Sequence, residues 1–145
     1  MPDPEVTRHT VVGEVALWKY RDNVHYPGWH LSCDTAAGHS MIALIDRMLA
    51  AQHPSRKPIE VSTNPQLTAA PGISDTPIFA ESFELRSDPR LPHEAWVWEQ
   101  SSDTLIITMG HAMLEDLQLG IKNSLEGRGD YTLGDAPPLW FWWML

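Results

Sequence analysis

The chain has a single cysteine, Cys33, so no internal disulfide can form, which fits a reducing compartment. It has no apolar run near the roughly 20 residues a bilayer-spanning helix needs; the longest is the C-terminal Leu139–Leu145. The opening MPDPEVTRHT has neither the basic nor the apolar region of a secretion signal, and the expected location is the cytoplasm. Bases are scarce, ten Lys and Arg against nineteen Asp and Glu. That shortage argues against nucleic-acid binding, which needs clustered cations to replace counterions. There is no internal repeat, no low-complexity tract and no Gly-rich phosphate loop.

What is present is a chain of 145 residues with ordinary apolar content. That length buries about two-thirds of the unfolded surface without staples, and we read residues 1–145 as one domain. Seven Trp against three Phe and three Tyr is the compositional anomaly. The net charge of −9 is uneven: residues 1–72 carry seven acids and six bases, residues 73–145 twelve acids and four bases. An acidic half suits a basic protein partner, since complementary fields speed encounter and select partners.

Val, Trp and Tyr mark residues 10–20 as a strand, followed by an irregular stretch through Cys33. Asp34 is placed to cap a helix whose apolar face is Met41, Leu44, Ile45, Met48 and Leu49, ending near Gln52 ahead of Pro54. Residues 58–63 alternate as a short strand, and 64–77 form the longest irregular stretch. Ile78–Arg86 reads as one strand, and 95–100 with 104–109 as a hairpin turning at Ser-Ser-Asp. A second helix follows, with Leu114, Leu117, Ile121 and Leu125 as its stripe and Gly127 past its end. The C-terminal segment, apolar on both faces, reads as a central strand. The expected class is α+β: one mixed or antiparallel sheet of about five to six strands with two helices packed on it.

His25, His30, Cys33, Asp34 and His39 fall within fifteen residues and are of metal-ligating types. Their spacing matches no zinc signature, and no metal or cofactor is expected. Cys33 ahead of a helix, with His30 or His39 as base, is the minimal thiol-hydrolase arrangement. Thr108–His111 could aim helix N–H groups at an anion, but without the spacing of a phosphate loop. Glu81, Glu84, Glu94, Glu99, Asp103, Glu115 and Asp116 lie on or beside the hairpin and second helix, and form the expected binding surface. In size, acidity and tryptophan content the chain resembles the loose class of bacterial immunity or antitoxin-type proteins, which neutralise a toxin by binding it. The resemblance implies a non-enzymatic protein-binding module and carries no site residues. The alternatives are a small cysteine- or metal-dependent hydrolase using the His25–His39 segment, and a homo-oligomer, such as a homodimer, paired through the terminal strand.

Overall fold

The structure, a computed structural model, describes residues 6, 8–20, 29–62, 77–101, 104–126, 131–133 and 139–141. Among these the strands are β1 (Val15–Tyr20), β2 (Trp29–Cys33), β3 (Ser55–Ile59), β4 (Pro77–Phe79), β5 (Ser82–Ser87), β6 (Trp96–Ser101), β7 (Thr104–Met109), β8 (Tyr131–Leu133) and β9 (Leu139–Phe141). The long helices are α1 (Thr35–Ala50) and α2 (His111–Leu125). The class is α+β, as the pattern of elements indicates, but the strands divide between two sheets. One runs β4-β1-β2-β9-β8 and the other β3-β5-β7-β6.

The single sheet expected from sequence is thus corrected, and the reason lies in residues 78–86. They hold no proline, glycine or other turn signal, and Phe83 and Leu85 alternate with Ser82 and Glu84, yet the chain changes sheets at Ala80–Glu81. β4 pairs with β1 of the first sheet, and β5 pairs with β3 and β7 of the second. At the crossing the Ala80 N–H donates to Leu17 O at 2.7 Å, and the Ser62 N–H donates to Val15 O at 2.6 Å. Both joints land on β1. Period-2 alternation reports which face a side chain takes, and carries no information about which sheet the strand has joined.

Two other boundaries move. β3 begins at Ser55, three residues before the expected strand, and carries Pro58 in its middle. Proline lacks the N–H for a second ladder and is tolerated because β3 is an edge strand. β2 occupies a stretch that reads as irregular, because Trp29, Leu31 and Cys33 alternate with His30 and Ser32 rather than with exposed polar residues. The strand at β9 is interior, flanked by β2 in parallel and β8 antiparallel. Residues 142–145, the 64–76 stretch and Gly127 lie outside the described residues.

α1 starts where Asp34 accepts the Ala37 N–H at 2.8 Å through Oδ1, satisfying one of the orphan donors of the first turn. Asp34 Oδ2 also takes the Glu14 N–H at 3.0 Å, so the cap is fastened to the chain entering β1. That approach requires Gly13: its φ is +80°, and a Cβ there would sit 2.3 Å from Asp34 Oδ1 and 2.5 Å from Ala37 N. One turn on, the Ser40 hydroxyl accepts the Val12 N–H and donates to Thr10 O, while His9 Nε2 reaches Ser40 O at 2.9 Å.

α1 and α2 pack together and share one apolar core with the inward faces of both sheets. Met41, Leu44, Ile45 and Met48 meet Leu114, Leu117 and Ile121, with Leu17, Leu31, Leu85 and Ile107 from the strands. Each fully buried aliphatic side chain contributes about 1.5–3 kcal/mol through the apolar surface it removes from water. Gln118, buried at the helix interface, donates to Ile42 O at 2.9 Å and Asp46 Oδ1 at 2.8 Å, fixing the register of α2 on α1.

Candidate functional site

His30, Cys33 and His39 point three different ways. On β2 they are set by the two-residue period: Cys33 faces the helices, and His30 faces the opposite side of the sheet. Cys33 is 4% exposed, and burial, reinforced by the neighbouring Asp34 charge, pushes its thiol up to about 12. It is protonated at neutral pH and packs as a small apolar side chain. Asp34 is occupied as the cap, and His39 is exposed on the solvent side of α1. His25 lies outside the described residues. Among those described, no three His, Cys, Asp or Glu side chains are close enough to share a metal ion.

His30 has a different role. It is fully buried between Trp18 of β1, stacked at 4.4 Å, and Trp140 of β9, stacked at 6.2 Å. The three residues are cross-strand neighbours in register, so adjacent strands hold the rings parallel. Trp18 donates its indole N–H to Ser32 Oγ at 3.2 Å, satisfying the polar edge of a side chain with no exposed surface. This stack belongs to the face turned away from the helices, outside the main core.

A second aromatic group closes the rim between the sheets. Trp29 of β2 stacks on Trp98 of β6 at 6.5 Å, and Trp96 meets Trp98 edge-on at 5.7 Å. The Lys19 ammonium lies 5.0 Å from the Trp29 ring centroid, within cation–π range. Trp96 and Trp98 share the inward face of β6, as their spacing predicts. Their partner Trp29 is not legible in the sequence, because the contact joins strands of different sheets.

The N-terminus of α2 is filled by the chain itself. The Met113 N–H donates to His93 O at 3.1 Å, and the Gly110 N–H to Ala95 O at 2.9 Å. Gly110 permits this approach, since a Cβ would stand 2.0 Å from Pro92 O. The helix end that Thr108–His111 suggests as an anion site is therefore partly spent on the 92–95 loop.

That same packing places one of the acidic residues expected to bind. The His93–Met113 bond sets Glu94 beside the first turn of α2, one turn from Glu115 and Asp116. Glu99 projects from edge strand β6 on the same face as Val97, two residues earlier and 45% exposed. Glu81 is exposed at the turn where the chain changes sheets. Among the described residues, none of these five carboxylates has an ion-pair or side-chain hydrogen-bond partner. Glu84 departs from the expected group: it sits between β3 and β7 on the outer face of the sheet and is held by Arg86 Nε. Asp103 lies outside the described residues. No helix among those described is long and apolar enough to cross a membrane.

Compared with known protein families, curated proteins and solved structures, the chain matches none.

Proposed function

We propose that the chain is a non-catalytic protein-binding module whose acidic surface takes a basic partner, in the manner of immunity or antitoxin-type proteins. The observation that supports it is the state of Glu81, Glu94, Glu99, Glu115 and Asp116, all exposed and all unpaired. Elsewhere the fold does pair its acids: Glu84 with Arg86 and Asp88 with Arg90. Five unpaired carboxylates in a half-chain of net charge −8 give this half a negative potential. Lysines and arginines of a partner are steered toward it.

The test uses full-length chain as bait in an extract of its native host, beside a Glu94→Gln, Glu99→Gln, Glu115→Gln, Asp116→Asn variant. These positions are exposed, so the variant folds. The expected result is a basic protein retained by the natural chain and lost by the variant. Retention of the same partner by both would remove the acidic surface from the explanation.

A further inference from the structure

Among the described residues the two sheets end in four edge strands, β4 and β8 in the first, β3 and β6 in the second. Three of the four carry a device that discourages further pairing. β3 holds Pro58 beside Arg56 and Lys57, β4 opens on Pro77 and is three residues long, and β8 is also three residues long. β6 is different. Its six residues, Trp96–Ser101, include no proline, glycine, lysine or arginine, and their register against β7 runs residue for residue without a bulge. A long, regular edge of this kind is a template for another strand. Its one charge, Glu99, decides which strands it admits.

The direction of the backbone groups follows from the turn. Ser101 pairs with Thr104 across a two-residue connection, so these two exchange hydrogen bonds directly. The alternation of an antiparallel ladder then gives the bonds of Glu99 and Val97 to β7 as well. The N–H and C=O groups of Trp98 and Gln100 therefore point away from the sheet, and among the described residues nothing bonds to them. Side chains divide by face. Val97 and Glu99 are exposed on the outer face, while Trp96 and Trp98 turn to the aromatic rim between the sheets. Glu94, just ahead of the strand, is exposed too.

We propose that the open edge of β6 receives an extended, basic segment of a partner protein as a fifth strand of the second sheet. The inference rests on the basic-partner reading and names how that partner docks. Main-chain bonds to Trp98 and Gln100 supply affinity, and the alternating side chains supply choice. On the outer face a Lys or Arg reaches Glu99 and lays its stem over Val97. On the other face apolar residues extend the Trp96–Trp98 rim. A second copy of this chain fits less well. Two β6 strands centred on a two-fold axis set both Glu99 carboxylates near that axis and bring together two chains of net charge −9.

The test titrates full-length protein, at constant ionic strength, with a short peptide of alternating lysine and valine. Two controls run beside it: the same peptide N-methylated at every residue, and one with glutamate in place of lysine. Backbone amide NMR shifts and hydrogen exchange of Trp98 and Gln100 provide the readout. Saturable shifts and slowed exchange at both amides are expected with the lysine peptide, and neither with the controls. Gln100→Pro removes an outward N–H that β7 does not use and should weaken binding about tenfold, the worth of one backbone bond, while Gln100→Ala leaves it unchanged. The methylated peptide asks the same question without altering the protein. Equal affinity for the methylated peptide would overturn strand addition and leave the acidic surface standing; equal affinity for the glutamate peptide would remove the basic partner as well. No saturable binding, or full affinity in Gln100→Pro, also defeats the proposal. So does a free protein that is dimeric by light scattering with the Trp98 and Gln100 amides already protected, since a second copy then holds the edge.

Discussion

Replacing Gly13 with alanine perturbs the joint that ties the entry of β1 to the start of α1, and its cost can be assembled from two terms. An L-residue held at the observed φ of +80° loses about 1–2 kcal/mol relative to glycine. The new Cβ would lie 2.3 Å from Asp34 Oδ1, so the carboxylate must leave the Ala37 N–H, and loss of such a cap costs about 0.5–2 kcal/mol. Together they give about 1.5–4 kcal/mol, a large share of the 5–15 kcal/mol that holds an ordinary domain. The assay is equilibrium urea unfolding followed by tryptophan fluorescence, read as a shift in midpoint at constant slope. Asp34→Ala supplies the control, since it removes the cap without altering φ. In that background Gly13→Ala should cost less than in the natural chain, by about the worth of the cap, 0.5–2 kcal/mol. A Gly13→Ala shift within about 0.5 kcal/mol of zero, the range of an ordinary surface change, would refute this reasoning. Strict additivity of the two changes would do the same.

Three further outcomes follow from the same geometry. The Cys33 thiol should resist alkylating reagents in the native state and react only on unfolding. Its folded pKa, about 12, lies above the ordinary value of 9.0, so the native state keeps its proton while the unfolded state releases it. Stability from this group is therefore complete below about pH 9 and declines toward pH 12 at up to about 1.4 kcal/mol per unit, a slope absent in Cys33→Ala. Gln118→Ala cuts both bonds to α1 and should cost about 1–3 kcal/mol in urea unfolding, leaving the Asp46 and Ile42 acceptors to water. Trp18→Phe strands Ser32 Oγ and should destabilise by about 1–3 kcal/mol. Trp98→Phe removes an indole N–H that is buried without a partner, so it should cost clearly less; the reverse order would contradict the assignment of these two rings.

The sequence states some elements more openly than others, for physical reasons. α1 is legible from Asp34 onward because a cap residue and a 3.6-residue apolar stripe are local signals, and both are found where they are expected. α2 is legible for the same reason, although its N-cap is Gly110 with no side-chain bond. β2 is hidden because both of its faces are buried by unlike chemistry, Leu31 and Cys33 against the helices and His30 in an indole stack. The division into two sheets turns on Ala80 and Ser62 donating to β1, which are long-range bonds with no local signature. For the candidate surface, composition alone marks the second half as acidic. Only the fold separates Glu84, neutralised by Arg86, from Glu94, Glu99, Glu115 and Asp116, which remain unpaired.

The most direct test of the central claim is the rate at which the purified partner associates with the full-length chain, measured by stopped-flow fluorescence as salt is varied. An acidic surface acting on a basic partner predicts a steep fall in association rate with ionic strength, flattened in the variant carrying Gln or Asn at positions 94, 99, 115 and 116, with dissociation changed far less. An association rate indifferent to salt, or equally steep in both proteins, would contradict it.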